Sequence, residues 1–500
     1  MNVTVYTNRT DGEIRNFWNH IVFHPTDAIE DDWGQKILNQ IAEDRAAKTV
    51  RIYNMFEDIV TLGEDGQLAY DYTLNDYRID YLLAHGFTPM ISYAFVPPFM
   101  AQNASETSSM SKNKKRYKGK MIVTSPPKDY KLWETLCYEY TAHLVSRYGE
   151  DTVASWRLQC WNEPDIKSFW MKDEPDVNVR CAEYCRLYDG FEAGLRAVSE
   201  KLCIGGPALA KHIDFLELFL AYIRKSGKKL DFISFHDYGV QLKELQAKTG
   251  RISAANHLER IDRICDLVKK YGFSDLPLIM DEWGMCSHGF ANTEECPDLI
   301  CRENEVFSAY FAKMITLFDE KRIPIEKMMI CLSGQHEMVT DFSGFRNFFT
   351  LNFFRKPIYN AFSLAAKLGD IRLSYRTDGE CPDLSALSTG FADGNKAILL
   401  SCAAEHFDGA WGSVPVKLTF DGLDAEYRVR LWVIDRTHAN AIHRYEELGA
   451  PEHPDEAQIA ELRRAGELYG TDAPDVGRDN REVSFAMTDN SVVLCELIRK

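Results

Sequence analysis

Long apolar runs are missing from this sequence of 500 residues. No stretch of about 18 consecutive apolar residues occurs, so we expect no transmembrane helix and no membrane partner. The N-terminal residues MNVTVYTNRTDGEIRNFW also lack the basic start and apolar centre of a signal peptide. The sequence therefore predicts a cytoplasmic protein.

Basic residues are fewer than acidic residues in this sequence. Lys and Arg together number 58 against 75 Asp and Glu, which gives a formal net charge of −17. Such an acidic surface disfavours binding to nucleic acid or to anionic membranes, and we expect neither as a partner. The charge is compatible with a neutral substrate, and it does not exclude a homo-oligomer.

Cysteine spacings typical of disulfide frameworks or zinc sites are absent. The thirteen cysteines are an odd number, and many lie in apolar runs, such as Cys160 in LQCW and Cys331 in MMICLS. Buried thiols of this kind indicate a reducing compartment. Cys181 and Cys185 lie four apart in a predicted helix, but no Cys/His pair follows at zinc-finger spacing. We interpret both as core residues and expect no metal.

The first 355 residues alternate short β-rich runs with longer amphipathic helical patterns. Eight such runs occur, and because each is apolar throughout, they are typical of a parallel sheet covered on both faces. They are HIVF (20–23), TVRIYN (49–54), PMISYAF (89–95), SWRLQCW (155–161), LCIGG (202–206), DFISFH (231–236), LPLIMD (276–281) and KMMICL (327–332). Eight β-then-α units predict an α/β fold, a (β/α)₈ TIM barrel. An open doubly wound sheet is the alternative, although no G-x-G-x-x-G follows the first strand.

The pattern changes after about residue 360. Strand-like runs such as KAILLSCAA, YRVRLWVID and SVVLCELI are separated by turns, which predicts an antiparallel β-sandwich. The opening NVTVYT is also strand-like and could pair with that sandwich. We therefore predict a catalytic barrel over residues 15–355 and an accessory β-sandwich domain formed by residues 1–14 and 356–500.

Two glutamates stand where predicted strands end. Glu163 in QCWNEPD follows the fourth strand, and Glu282 in IMDEWG follows the seventh. In a barrel, both would point into the mouth at the carboxyl ends of the strands, where catalytic residues gather. Either glutamate alone could be a surface loop residue. Two of them, each beside a tryptophan, favour a functional site.

Two carboxylates that face one pocket are what glycosidic bond cleavage requires. One must hold a proton for the leaving oxygen, and the other must be ionised; a separation of about 5–5.5 Å indicates a retaining mechanism. Trp161, Trp170 and Trp283 offer flat apolar surfaces on which sugar rings can stack. Asn162, directly before Glu163, could donate a hydrogen bond to a sugar 2-hydroxyl, or it could simply serve turn chemistry.

The whole chain resembles glycoside hydrolase family 39, which holds β-xylosidases and α-L-iduronidases, and within it the β-xylosidase branch. The Asn-Glu-Pro after the fourth strand and the Glu after the seventh belong to the wider clan of retaining (β/α)₈ glycosidases. The matching segments include PPKDYKLWETLCYEYTAHLVSRYGEDTVASWRLQCWNEPDIKSFW, IDYLLAHGFTPMISYAFVPPFMA, DFISFHDYG, LPLIMDEWG, RKPIYNAF and IDRTHANAIHRYEELGAP.

The resemblance implies a role for several residues. Glu163 matches the general acid/base and Glu282 the nucleophile, while His236 and Tyr238 match residues that contact the sugar or orient the nucleophile. Phe95 matches an aromatic that lines the sugar pocket. Read on their own, the last three could equally be core residues. The resemblance also implies an oligosaccharide or glycoside as substrate and no cofactor.

Two segments depart from the family pattern. After strand two, β-xylosidases show Arg-x-His-Gly, whereas this chain has RIYN, with Tyr53 at the position of a sugar-contacting His. After strand eight the usual Tyr-Trp-Thr-Phe-Ser-Asp is replaced by ICLSGQHEMVTDFSGF, in which Glu337 could bind sugar hydroxyls. These changes leave the two-carboxylate chemistry intact and put the sugar specificity in question.

We therefore predict a retaining exo-acting glycoside hydrolase that cleaves β-linked sugars from non-reducing ends, in the first place a β-xylosidase. A β-galactosidase, β-glucosidase or arabinosidase of the same family is an alternative. A catalytically inactive carbohydrate-binding barrel is an alternative of another class. An α-L-iduronidase-like enzyme is disfavoured, because a substrate carboxylate needs a basic pocket and the motif segments contain no clear Arg/Lys pair.

Overall fold

Eight parallel strands close into a barrel in the computed structural model of the protein. The structure describes residues 1–23, 29–54, 56–108, 122–250, 252–334, 337–379, 381, 383–404 and 412–500. We number the strands β1 to β19 and the α-helices α1 to α12 in chain order within these ranges. The barrel confirms the α/β class expected from the sequence and excludes the open doubly wound sheet.

The eight barrel strands coincide with the eight predicted apolar runs. They are β2 (His20–Phe23), β3 (Thr49–Asn54), β6 (Thr88–Tyr93), β7 (Arg157–Cys160), β8 (Ile204–Leu209), β9 (Phe232–Val240), β10 (Leu278–Cys286) and β11 (Ile325–Leu332). Each pairs in parallel with the next, and β11 closes on β2. A two-stranded hairpin, β4 (Val60–Leu62) with β5 (Leu68–Tyr70), follows β3.

Several helices begin at a residue that caps them. The carboxylates of Asp129 and Asp176 and the hydroxyl of Ser253 accept backbone N–H groups at the starts of α3 (Tyr130–Tyr148), α5 (Val177–Val198) and α8 (Ala254–Lys270). The helices are α1 (Asp32–Glu43), α2 (Thr73–Ala84), α3 (Tyr130–Tyr148), α4 (Glu150–Ala154), α5 (Val177–Val198), α6 (Ile213–Ser226), α7 (Leu242–Gln246), α8 (Ala254–Lys270), α9 (Glu305–Glu320), α10 (Pro357–Ala365), α11 (Ala441–Glu447) and α12 (Glu456–Gly466).

Nine further strands form a second sheet around its own apolar core. They are β1 (Asn2–Glu13), β12 (Ile371–Asp378), β13 (Leu384–Gly390), β14 (Lys396–Cys402), β15 (Ser413–Asp421), β16 (Tyr427–Ile434), β17 (Gly470–Val476), β18 (Glu482–Thr488) and β19 (Ser491–Arg499). Their order is β17-β16-β19-β14-β13-β12-β1-β15-β18, and the two end strands contact each other. The sheet therefore folds over one shared core, as the predicted sandwich requires.

One pairing differs from the expected antiparallel arrangement. β1 pairs antiparallel with β12 on one side but parallel with β15 on the other, so the N-terminal strand lies in the middle of the sheet. The first residues therefore join the C-terminal strands, while the division into domains at residues 14 and 355 stays a prediction.

The second sheet also packs against the barrel. Along β14, Ile398 and Leu400 face the core of the sheet, whereas Leu399 joins the core of the barrel. Beside this contact, Arg372 of β12 binds both carboxylate oxygens of Asp319 in α9, with Nε 2.8 Å from Oδ2. Among the described residues, no helix combines the length and apolar character needed to span a membrane.

The central position of β1 can be tested with two substitutions on that strand. Val5 is fully buried in the sheet core, whereas the neighbouring Thr4 faces the other side. We expect Val5→Asp to lower the free energy of unfolding by about 3 kcal/mol or more, because it buries an unpaired charge. Thr4→Asp should cost far less. Calorimetric unfolding of both variants is the measurement, and equal effects would contradict the assigned register.

Candidate active site

Glu163 follows β7 at the carboxyl end of the barrel. Its backbone is held in the left-handed region, with φ of 51°, and Trp161 just before it has φ of 66°. The amide of Glu163 donates to the carbonyl of Ala208, 3.1 Å away on the next strand. Non-glycine residues in this conformation are strained and cluster at functional sites, because only a tightly packed surrounding can hold them.

Glu282 lies within β10 and not after it, because the strand continues to Cys286 by pairing with β9. The register between these strands shifts between Met280 and Glu282, as in a β-bulge. The shift lets two consecutive side chains, Asp281 and Glu282, reach the barrel interior. A carboxylate oxygen of Glu282 lies within 4.8 Å of one from Glu163, so the two glutamates share one site.

Three groups hold the carboxylate of Glu282. The hydroxyl of Tyr53 and Nη1 of Arg51 (3.0 Å) donate to Oε1, and the hydroxyl of Tyr238 donates to Oε2 at 2.7 Å. Burial alone would raise the pKa of Glu282. The positive charges of His236 and Arg51 outweigh it and hold that pKa below its ordinary value. Glu282 is therefore ionised.

Glu163 has a different environment. Burial, assisted by the charge of Glu282, raises the pKa of Glu163, although its hydrogen bond with His236 works in the opposite direction. Nδ1 of His236 lies 2.8 Å from Oε1 of Glu163. The site therefore pushes the pKa values of its two glutamates apart, as an acid and a base in one pocket require.

His236 bridges the acidic groups of the site. Nδ1 is 3.5 Å from Oε2 of Glu282, and Nε2 is 3.6 Å from Oδ2 of Asp281. Burial lowers the pKa of this imidazole, but the carboxylates of Glu282 and Asp281 outweigh burial and raise it to about 10. His236 is therefore an imidazolium ion at neutral pH.

A buried polar network, which the sequence analysis did not identify, supports these groups. The Arg51 guanidinium donates to Oε1 of Gln159 at 2.8 and 3.0 Å and lies 3.2 Å from Asp281. Nε2 of Gln159 donates to Asp281 and to Ser234, each at 2.6 Å. The sequence does contain a signal for this network. A charged or amide residue lies inside an apolar strand run in each of TVRIYN, LQCW and LIMDEWG.

Asn162 is oriented by the same network. Its Oδ1 accepts a hydrogen bond from Nη2 of Arg51 (2.9 Å), and the hydroxyl of Tyr53 lies 3.2 Å from the same oxygen. Because Arg51 holds the oxygen, the amide NH₂ group remains for a ligand. The orientation agrees with the expectation that Asn162 donates to a substrate hydroxyl.

The two glutamates open onto a cavity of about 280 Å³. Six of the candidate residues named from the sequence line it, namely Tyr53, Phe95, Asn162, Glu163, Tyr238 and Glu282. Phe95 lies in its wall and packs edge-on against Trp161 and face-on against Phe169, with ring centroids 5.0 and 6.0 Å apart. His236 is not among the lining residues, and it contacts Glu163 from within the protein.

The tryptophans do not line the cavity, which corrects the expected stacking. Trp283 is fully buried and packs against Phe307 and Phe311 of α9. Successive strand residues point to opposite faces, so a Trp directly after the inward-facing Glu282 points to the helices. Trp161 and Trp170 are also fully buried and pack on each other. Glu337, beyond β11, is not among the residues that line the cavity.

Arg346 is a second functional residue that the sequence analysis missed. It lines the cavity although it is only 8% exposed, and its guanidinium lies 4.9 Å from the ring centre of Tyr238. Nε and Nη2 approach Ser333 and Cys331, each at 3.4 Å, whereas Nη1 has no hydrogen-bond partner in the described part of the chain. Lys211 lines the same cavity.

Glu163, His236 and Glu282 are close enough for one metal ion, since one ligand atom from each lies within 4.8 Å of the others. The chemistry of these donors does not fit a metal. A metal-ligating His must be neutral, whereas the surrounding carboxylates raise the pKa of His236 to about 10. The absence of a metal stays a prediction.

Comparisons with known proteins cover most of the chain. The sequence model of "Glycosyl hydrolases family 39" matches residues 1–472. A β-xylosidase of Caldicellulosiruptor saccharolyticus is 26% identical over 99% of this chain and 96% of its own length. The α-L-iduronidase of Homo sapiens is 24% identical over 54% of this chain and 39% of its own. The crystal structure of a monomeric beta-xylosidase from Caulobacter crescentus superimposes with a TM-score of 0.82, at 22% identity, covering 100% of this chain and 99% of that one.

The charge state of His236 can be measured directly. We expect its imidazole to titrate near pH 10 and not near the ordinary value of 6.5. Asp281→Asn removes one of the charges responsible, so the midpoint should fall in that variant. Nitrogen-15 NMR of histidine-labelled protein follows both midpoints. Because folding raises this pKa, the charge stabilises the fold fully below pH 6.5, and that contribution is lost as pH rises through about 10.

A matched control is available at His443, whose Nδ1 lies 3.0 Å from Glu446 outside the cavity. Glu446→Gln should leave the midpoint of His236 unchanged. A wild-type His236 that is neutral at pH 7 would contradict the electrostatic account of the site.

Proposed function

Because this chain belongs to glycosyl hydrolases family 39 and is therefore a glycoside hydrolase, we propose that it removes single β-linked sugars from non-reducing ends with retention of configuration. A β-xyloside is the first candidate substrate, since β-xylosidases match almost the whole chain. The observation that carries the proposal is the approach of Glu163 and Glu282 to within 4.8 Å. This distance suits a retaining pair, because an inverting pair would need about 6.5–9.5 Å to admit a water molecule.

In the first step, Glu282 attacks the anomeric carbon while Glu163 gives its proton to the glycosidic oxygen. The bond to the leaving group breaks, and a glycosyl ester forms on Glu282. Arg51, Tyr53 and Tyr238 fix the attacking carboxylate and keep it ionised. The raised pKa of Glu163 supports its role as the proton donor.

In the second step, Glu163 has lost its proton and acts as a base. It takes a proton from water, the resulting hydroxide attacks the anomeric carbon, and the carboxylate of Glu282 is released. The NH₂ group of Asn162 is available to the sugar 2-hydroxyl in both steps. A cavity of about 280 Å³ supports cleavage of one terminal sugar at a time.

The opposite charge states of the two glutamates argue against an inactive carbohydrate-binding barrel. A galactoside, glucoside or arabinoside is still an alternative to the xyloside, since Tyr53 replaces a sugar-contacting His. The cytoplasm is our proposed location, because all thirteen cysteines are free thiols.

A panel of nitrophenyl glycosides tests the reaction. We expect turnover of a β-linked sugar, with the β-xyloside first, and loss of that turnover in Glu282→Ala. Glu163→Ala should lower kcat/KM by about 10²–10⁴-fold for substrates whose leaving group needs a proton, and much less for dinitrophenyl glycosides, for which hydrolysis of the glycosyl ester becomes the slow step. Azide should restore turnover in both variants and give an α-azide with Glu282→Ala but a β-azide with Glu163→Ala.

The exposed Glu200, between α5 and β8, provides a control, and Glu200→Ala should behave as wild type. Failure of the wild type to release any β-linked sugar would overturn the proposed function. An unchanged rate in Glu282→Ala would remove that residue from the mechanism.

A second candidate function is the hydrolysis of a uronide, which one specific observation favours. Arg346 and Lys211 supply the basic pocket that the sequence segments did not reveal, and the buried Nη1 of Arg346 has no hydrogen-bond partner among the described residues. A β-D-glucuronide and its C5 epimer, an α-L-iduronide, differ from a β-D-xyloside by a carboxylate on C5. Part of this chain also matches an α-L-iduronidase.

The ratio of two activities distinguishes these candidates. Arg346→Gln should lower turnover of every glycoside, since Arg346 is one of the charges that lower the pKa of Glu282. If Arg346 binds a substrate carboxylate, kcat/KM for the uronide should fall at least about 10-fold further than for the xyloside, the scale of one charge-assisted hydrogen bond. Equal falls, or no uronide turnover by wild type, would exclude the second candidate.

A further inference from the structure

Three charged side chains are buried behind the loops that follow β10 and β11. They are Arg302 at the end of a 3₁₀-helix (Pro297–Arg302), the adjacent Glu303, and Lys356 just before α10, and each is 1% exposed. We call these three residues the clasp. None of them lines the substrate cavity, and the proposed reaction makes no use of their charge.

The clasp holds the backbone of the segment that leads into Arg346. Oε1 of Glu303 accepts the amide of Gly344 at 2.6 Å and Nζ of Lys356 at 2.8 Å. Nζ of Lys356 also donates to the carbonyl of Phe345 at 3.1 Å. Gly344 has φ of 83°, and a Cβ there would press on neighbouring atoms, so this segment has little freedom to shift.

Arg302 joins the same segment to the other loop. Its guanidinium donates to the carbonyl of Gly344 at 3.1 Å and to the carbonyls of Cys286 and Ser287 at 3.0 and 3.2 Å. Ser287 lines the cavity. One planar cation therefore sets the distance between the loop after β10 and the loop that carries Arg346.

The side chain of Arg346 is tightly packed. A Cβ on Gly289 would overlap its guanidinium and the hydroxyl of Ser333. The hydroxyl of Tyr238, whose ring faces this guanidinium, donates to Glu282. A displacement of Arg346 would therefore reach the attacking carboxylate directly through its charge and indirectly through Tyr238.

We propose that the clasp of Arg302, Glu303 and Lys356 is a positioning device that fixes Arg346 beside Tyr238 and Glu282. This inference rests on the proposed function. Buried charges are costly, and well-packed apolar side chains would stabilise the loops at least as well. Unlike apolar side chains, the three charged groups form directional hydrogen bonds with carbonyl and amide groups of the two loops. These bonds fix the backbone next to Arg346 and so determine where its side chain lies.

A mutant cycle tests the clasp. Lys356→Met keeps the length of the side chain and removes its charge, and Arg346→Gln removes the positioned group. We expect each variant to lower kcat/KM by about 10²-fold, as misplacement by about 1 Å can do. The double variant should lose no more than the worse single variant, because both changes act through Arg346. Additive losses would overturn the inference.

Asp319→Asn is the matched control for a merely structural effect. It breaks the buried pair of Asp319 with Arg372, between α9 and β12. We expect it to lower the melting temperature as Lys356→Met does but to leave kcat/KM unchanged. If Lys356→Met does not fold, Glu303→Gln takes its place, because the amide still offers an acceptor to the Gly344 N–H. A control that loses as much activity as the clasp variant would contradict the positioning role.

Crystal structures of the clasp variant and of the control give a readout that does not need turnover. The guanidinium of Arg346 should leave the ring of Tyr238 in Lys356→Met and stay in Asp319→Asn. If wild type hydrolyses no glycoside, the proposed function is wrong. The two crystal structures then remain as the test of whether the clasp positions Arg346. An Arg346 that stays in place without Lys356 would overturn the inference in either case.

Discussion

The buried guanidinium of Arg51 is the interaction on which the rest of the site depends. A cation with no access to water must be matched by carboxylates and hydrogen-bond acceptors, and a guanidinium offers five donors in a fixed plane. Arg51 therefore determines where strands β7 and β10 present their polar side chains and keeps one carboxylate ionised. Its partners are Tyr53, Gln159, Asn162, Asp281 and Glu282.

The ionised Glu282 then determines where the proton of the site resides. Asp281 and Glu282 together balance the charges of the two buried arginines of the site. In the remaining pair, burial and the charge of Glu282 raise the pKa of Glu163, while the carboxylates of Glu282 and Asp281 raise the pKa of His236. The two groups are 2.8 Å apart and titrate as a unit. The proton that leaves with the aglycone is therefore drawn from this pair.

Much of the fold could be predicted because local patterns encode it: eight apolar runs marked the barrel strands, and two of them ended near Glu163 and Glu282. Three features could not be predicted in this way. The shift at Met280 turns Asp281 and Glu282 inward together and leaves Trp283 outside, and register shifts depend on the neighbouring strand. Arg346 follows a long loop, and the clasp residues that bind the backbone just before it lie elsewhere in the sequence. The parallel pairing of β1 with β15 joins residues 2–6 to residues 417–421 and has no local signal.

The departure at Tyr53 changes what the site can recognise. The phenol hydroxyl donates its single proton toward Glu282 and also approaches Asn162, so no proton remains for a sugar hydroxyl. A sugar-contacting His at this position would have left a ring nitrogen for the substrate. In this chain the hydroxyl of Tyr53 instead binds the carboxylate of Glu282. Each oxygen of that carboxylate therefore accepts a hydroxyl proton, one from Tyr53 and the other from Tyr238. Discrimination between sugars must then come from other residues that line the cavity, among them Asn162, Lys211 and Arg346.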